Sequence, residues 1–159
     1  LYKNYSYENR FVLNSNAGNG PGDILMMIKA IENGINTTFT FFIGLYEVRD
    51  FQRDKNIAEL RVTHSIVYDN LKKAYKVRLS ERNSEMILVE DFHEAKNLMS
   101  KIVGVKLNGL NKLQKGTRYQ ARMMAELAKI RLPLYLDYVL FFLSLWDFET
   151  DWYKVNFTY

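Results

Sequence analysis

Residues 37–48 read TTFTFFIGLYEV, and the alternation within them decides the fold class. Phe39, Phe41, Ile43 and Leu45 fall on one side of a period-2 pattern, with Thr38, Thr40, Phe42 and Tyr46 on the other. This is a long strand with one strongly apolar face. Downstream, residues 58–68 send Leu60, Val62, His64, Ile66 and Tyr68 one way and Glu59, Arg61, Thr63 and Ser65 the other, as in a half-buried antiparallel strand. The connector DFQRDKN between the two runs is too short for a parallel crossover, which needs about a dozen residues or more. Asp69 and Asn70 then supply turn chemistry before Ala74, Tyr75, Val77 and Leu79, and the polar turn SERNSE leads to another strand, Met86 to Val89.

Helical spacing occurs twice. Asp23 precedes Ile24, Met27, Ile28 and Ile31, one apolar stripe, and Gly34 suits the left-handed position after the helix. Asp91 and Glu94 form a capping-box-like pair ahead of Ala95, Leu98, Met99 and Ile102, with Gly104 expected to close that helix. From 118 to 127, Tyr119, Ala121, Met123, Ala125 and Leu127 alternate with Arg118, Gln120, Arg122, Met124 and Glu126. Propensity there favours helix, but a helix would spread the polar residues around the whole cylinder, so the period predicts a strand. Pro133 ends that element, and Tyr153 to Tyr159 is a further strand. The expected architecture is a mainly β, antiparallel β-sandwich, Ig-like in outline, of about seven or eight strands with two short packing helices. A single domain over residues 1–159 accounts for the whole chain, and one strongly curved sheet folded over a helix is the alternative.

Composition excludes more chemistry than it suggests. With no cysteine, the chain has no thiolate nucleophile, thiolate zinc site, iron–sulfur cluster or CxxC redox centre. No run of 18 uncharged apolar residues occurs, and the longest apolar stretch, Leu134 to Trp146, is broken by Asp137 and Ser144. Gly18, Gly20 and Gly22 in NAGNGPGD have neither the spacing of a dinucleotide fingerprint nor the Lys-Ser/Thr pair of a phosphate loop. His64 lies on the apolar face of its strand and reads as a hydrogen-bonded core histidine, whereas His93 reads as exposed. Asp50 and Asp54 share a connector with Arg49, Arg53 and Lys55, which are expected to satisfy them as solvated ion pairs. No catalytic residue, metal ligand or cofactor is therefore expected, and the non-enzymatic class is favoured.

Two asymmetries point to partners instead. From Lys96 to Arg131 nine cations face one carboxylate, Glu126, for a local net charge of +8 within a chain of +4 overall. Such a stretch suits an anionic membrane surface or an acidic protein, while the scarcity of interleaved aromatics makes nucleic acid an unfavoured partner. Aromatic side chains crowd the C-terminal part, where Tyr135 to Trp152 is expected to pack onto the core with one exposed edge. Thr150 or Asp151 is expected to hold the turn that aims Trp152 back at the sheet. Candidate partner contacts are Tyr135, Tyr138, Phe142 and Trp146, together with Lys112, Lys115, Arg118 and Arg122.

Several segments together resemble a known family. IENGINTTFTF, LYEVRDFQRD, THSIVYDNLKKAYKV, DFHEA, ARMMAELAKIRLPL and WDFETDWY occur in the order found in the domain of unknown function family numbered 4390, a group of exported bacterial proteins. Asn33, Gly34, Tyr68, Asp69, Leu71, Tyr75, Leu132, Pro133, Thr150, Asp151 and Trp152 carry the resemblance most specifically. It implies a cell-envelope protein, periplasmic or anchored on the extracytoplasmic side, with its targeting segment removed ahead of Leu1. Family genes often lie near a membrane sensor kinase, so the resemblance also implies a membrane sensor or other envelope protein as partner. It implies no activity. The alternative reading is a small-ligand-binding domain or a hydrolase that gathers a carboxylate and histidine cluster in its tertiary structure.

Overall fold

Alternating side chains become a sheet in the computed structural model, which describes residues 21–107, 109–128 and 149–159. Strand β1 (Thr37–Glu47) pairs antiparallel with β2 (Lys55–Asp69), setting Phe39 opposite His64, Phe41 opposite Val62 and Ile43 opposite Leu60. The meander continues through β3 (Ala74–Leu79) to β4 (Met86–Val89). On the other side of β1 lies β5 (Arg118–Leu127), followed by β6 (Tyr153–Thr158). The order is β4-β3-β2-β1-β5-β6, one antiparallel sheet of six strands.

Period 2 sorts the sheet into two faces. Phe39, Phe41, Val62, Ile66, Val77, Leu79, Ala125 and Leu127 share the buried face. Helices α1 (Pro21–Glu32) and α2 (Phe92–Met99) cover it with Ile31, Ala95 and Met99. Toward the far end of β1 a loop takes over from the helices, and Leu107 and Leu113 pack on Leu45, Ala58 and Tyr119. Gly109 (φ +99°) brings this loop in so closely that a Cβ would lie 3.0 Å from the Ile57 carbonyl oxygen. The mainly β, antiparallel expectation with two packing helices therefore holds. Among the described residues, helices and a loop rather than a second sheet cover the apolar face, so one sheet of six strands stands where an Ig-like sandwich of more strands was expected.

The helix ends show which signals were read well. Gly34 (φ +82°) donates to the Ile31 carbonyl at 2.9 Å and Ile35 to that of Ala30 at 3.0 Å, the paired bonds that satisfy the last carbonyls of α1. Asp91 caps α2 by accepting the Glu94 backbone N–H at 2.9 Å. Helix α1 begins at Pro21, which puts Asp23 in its first turn, ahead of Ile24 as read. One expectation is corrected. Helix α2 ends at Met99, where Ser100 donates its backbone N–H to Lys96, and Gly104 serves a later turn.

The β2–β3 turn is held by one carboxylate. Asp69 accepts backbone N–H groups from Leu71 at 2.9 Å and Lys72 at 3.1 Å and meets Lys76 Nζ at 2.6 Å. The Lys76 ammonium, then the Lys72 N–H, hold its carboxyl down to about 2 from an ordinary 3.8. A depressed folded value means that the contribution is complete above the ordinary value and fades as pH falls toward 2. The stability difference between the native chain and Asp69→Asn is expected to be constant from neutral pH to about pH 5 and to shrink below pH 4. Urea titrations at stepped pH test this, and a difference that grows on acidification refutes it.

Candidate functional site

Among the described residues, His64 and Glu81 form a titratable pair sealed in the core. His64 is 0% exposed, and its Nδ1 lies 2.9 Å from the Met99 carbonyl oxygen. That oxygen only accepts, so Nδ1 donates, and Nε2 faces both Glu81 oxygens at 3.0 and 3.1 Å. Glu81 sits in the short 3₁₀ segment Ser80–Arg82 with its side chain 4% exposed. Phe41 closes against the imidazole edge-on, with centroids 4.9 Å apart. His64 is thus the hydrogen-bonded core histidine that the strand period predicted. Its partner carboxylate comes from seventeen positions along the chain and carries no local sequence signal.

Chemistry open to solvent lies on the opposite face of the sheet. Phe42, Gly44 and Tyr46 project there from β1, and Glu59 and Arg61 stand across from them in the β2 register. Gly44 has no Cβ because Tyr46 occupies the space: an added Cβ would lie 2.5 Å from the ring. The Tyr46 ring therefore lies along the sheet, its hydroxyl donates to Glu59 at 2.9 Å, and the Arg122 guanidinium covers it at 4.2 Å. Burial first, then the Glu59 carboxylate, push the Tyr46 phenol above its ordinary value. Arg61 lies 4.8 Å over the Phe42 ring. Among the described residues it enters no ion pair.

Trp152 completes this cluster. Thr150 anchors the approach, donating its N–H to the Ala125 carbonyl and accepting the Ala125 N–H on its hydroxyl, both at 2.9 Å. Trp152 then lines, with Phe42, Gly44, Tyr46, Glu59 and Arg61, a shallow depression of about 300 Å³. Residues 149–152 form no turn; the Thr150 bonds run across to β5 and bring Trp152 against the sheet, which corrects the turn expected there. The tryptophan is 43% exposed.

The remaining sequence-predicted contacts divide. Arg122 pairs with Asp54 and Arg118 with Asp50, across from β5 to the β1–β2 connector. This corrects the expectation that neighbouring cations satisfy those carboxylates: Arg49 and Lys55 bind Glu47 instead, at 3.0 and 3.9 Å. Lys112 and Lys115 are exposed on the loop that covers the apolar side, whereas Arg118 and Arg122 project on the other side. The basic stretch is therefore not one surface among the described residues. Tyr135, Tyr138, Phe142 and Trp146 lie outside the described residues. No group of three or more histidine or acidic residues able to hold a metal ion occurs among the described residues. No helix among them is long and apolar enough to cross a membrane.

The family model for the domain of unknown function DUF4390 matches residues 25–156. The chain belongs to that family. The match begins in α1 and ends in β6, so β1 to β5, α2, most of α1 and of β6, and the Trp152 cluster fall within the DUF4390 domain. No curated protein and no solved structure matches the chain.

Gly44→Ala tests the construction of this face. The added methyl forces the Tyr46 ring aside, removing its bond to Glu59 and its contact with Arg122. A loss of about 1 kcal/mol is expected, with the Tyr46 phenol titrating nearer its ordinary value. Thermal unfolding and an alkaline ultraviolet titration read both effects, and an unmoved phenol would contradict the packing described.

Proposed function

We propose that this DUF4390 domain is a non-enzymatic binding module of the bacterial cell envelope, exported and acting on the extracytoplasmic side. Its contact surface is the solvent face of the sheet around Gly44. The observation that carries this reading is the gathering of Phe42, Tyr46 and Trp152 with Arg61 and Arg122 about one open depression. Tryptophan, tyrosine and arginine are the residue types that dominate binding energy at protein interfaces. Tyr46 and Arg122 are held rigid by their own contacts, so little side-chain entropy is lost when a partner docks on them.

Arg61 sets the partner's chemistry. Its guanidinium rests on Phe42 with no carboxylate partner among the described residues, so the face fits a protein segment that presents an acidic side chain beside an apolar one. A membrane sensor or another envelope protein is the class of partner that the family context supports. The basic stretch is the weaker candidate, because Arg118 and Arg122 are already paired and Lys112 and Lys115 lie on the other side of the sheet.

The test is photo-crosslinking in the native envelope from a reactive residue placed at Phe42, with another at Leu71 on the exposed β2–β3 turn as control. A partner captured at Phe42, absent at Leu71 and lost with Arg61→Glu, is the expected result. Equal capture at both positions, or capture indifferent to Arg61→Glu, would overturn it.

A further inference from the structure

The sheet has two edges, and they differ. At one edge β4 has four residues, and Val89 at its end is buried beside α2. At the other, every residue of β6 is exposed, and among the described residues β6 pairs with β5 alone. Unpaired strand edges of this kind are templates for further pairing unless they are blunted or covered.

The ladder shows which backbone groups are free. Arg118 accepts the Val48 N–H at 2.9 Å and Ala128 donates to the Thr38 carbonyl at 2.8 Å, so the even-numbered residues of β5 bond to β1. Its odd-numbered residues therefore bond to β6, which Ala125 and Thr150 also show, with the Thr150 N–H 2.9 Å from the Ala125 carbonyl. Their partners Tyr153, Val155 and Phe157 use their backbone groups on β5. The N–H and C=O groups of Lys154, Asn156 and Thr158 point outward, away from the sheet.

Side chains reinforce the asymmetry. Tyr153, Val155 and Phe157 lie on the apolar face, where the helices and loop leave them 59%, 43% and 37% exposed. Lys154, Asn156 and Thr158 lie on the polar face. The edge thus offers three outward backbone pairs and an apolar row beside them.

We propose that β6 pairs with β6 of a second copy of this chain, antiparallel, about a two-fold axis through Asn156 that runs perpendicular to the sheet. Such an axis keeps the apolar faces of both copies on the same side, so the apolar rows become continuous. Register follows from charge and length. An axis through Lys154 would set two ammonium groups directly opposite each other, which is destabilising. An axis through Thr158 would leave most of the strand unpaired. Through Asn156, Lys154 meets Thr158 of the second copy, Val155 meets Phe157, and Tyr153 meets Tyr159. No like charges oppose one another, and every outward backbone group of Lys154, Asn156 and Thr158 finds a partner.

Sedimentation of the full 159-residue chain across a dilution series reads the assembly. A reversible dimer is expected, weakened about tenfold or more by Asn156→Pro, which removes an outward N–H that β5 does not use. Because the chain has no cysteine, single introduced thiols read the register. Asn156→Cys lies on the axis, with Cα atoms about 5.5 Å apart, inside disulfide range. Lys154→Cys faces its own copy four residues away, about 13 Å, and is not expected to cross-link. A monomer at all concentrations overturns the proposal and leaves the edge to an extended segment of another protein. A dimer untouched by Asn156→Pro, or cross-linking at Lys154 but not at Asn156, overturns it as well. None of these results depends on the contact around Gly44, which lies on β1, two strands in from β6.

Discussion

Glu81→Ala is expected to destabilise the domain by about 3–5 kcal/mol, because it strips the partner from a histidine that has no route to water. For a chain of this size each kcal/mol lowers the unfolding midpoint by about 2–4 °C, so a fall of about 6 °C or more follows. The size of the effect comes from position. His64 on β2 ties the end of α2 through the Met99 carbonyl and the 3₁₀ segment through Glu81. Next to it, the Thr63 N–H donates to Ser80 at 2.9 Å. Removing Glu81 therefore loosens the helix, the sheet and the β3–β4 connection together. Glu81→Gln keeps the shape and one hydrogen bond to Nε2, so a smaller loss is expected. The double replacement His64→Leu with Glu81→Met exchanges the polar pair for apolar volume and is expected to lie nearer the native stability than Glu81→Ala does. Chemical denaturation of the three variants decides the matter, and single losses below about 1 kcal/mol would refute the role assigned to the pair.

This pair also marks where sequence reading stops. The His64 side of β2 was legible because a strand has only two faces, and Val62 and Ile66 fix which one is buried. Glu81 was not, since a turn carboxylate gives no sign that it will fold inward. Strand β5 was legible against its own helix propensity, because Tyr119, Ala121, Met123, Ala125 and Leu127 alternate with Arg118, Gln120, Arg122 and Glu126, which a helix would spread around its whole circumference. The end of α2 was misread, since a glycine is a stop signal only if the helix reaches it, and Ser100 had already satisfied the last carbonyls. The partners of Asp50 and Asp54 were misread for a related reason. Neighbours in sequence were preferred, while the β1–β5 register brings Arg118 and Arg122 closer in space.

The proposed contact face was half legible. Phe42 and Tyr46 were assigned to the side of β1 away from the core, which is correct. Their meaning depends on what stands beside them, and that is set by register: Arg61 opposite Phe42, and Arg122 opposite Gly44. Register between strands far apart in sequence is a tertiary fact. Within a single strand, Phe42 looks like an ordinary exposed aromatic.

Adjacent phenylalanines therefore offer the sharpest division between fold and function. Phe41→Ala is expected to remove about 3–5 kcal/mol, because the ring is buried between Val62 and Ala125 and closes the edge of His64. The Phe42 side chain, one residue along, lines the open depression under Arg61, so a loss below about 1 kcal/mol is expected for Phe42→Ala. Partner capture should respond in the opposite sense. With Phe42→Ala the fold persists and the envelope contact, read from a crosslinker at Trp152, disappears. With Phe41→Ala any loss of capture follows the loss of fold and is recovered at lower temperature, where the variant is folded. Thermal unfolding and capture measured side by side separate the two positions. If Phe42→Ala unfolds the domain as Phe41→Ala does, the polar face is part of the core and the contact surface must be sought elsewhere. If it changes neither stability nor capture, the aromatic–arginine cluster is not where the partner sits.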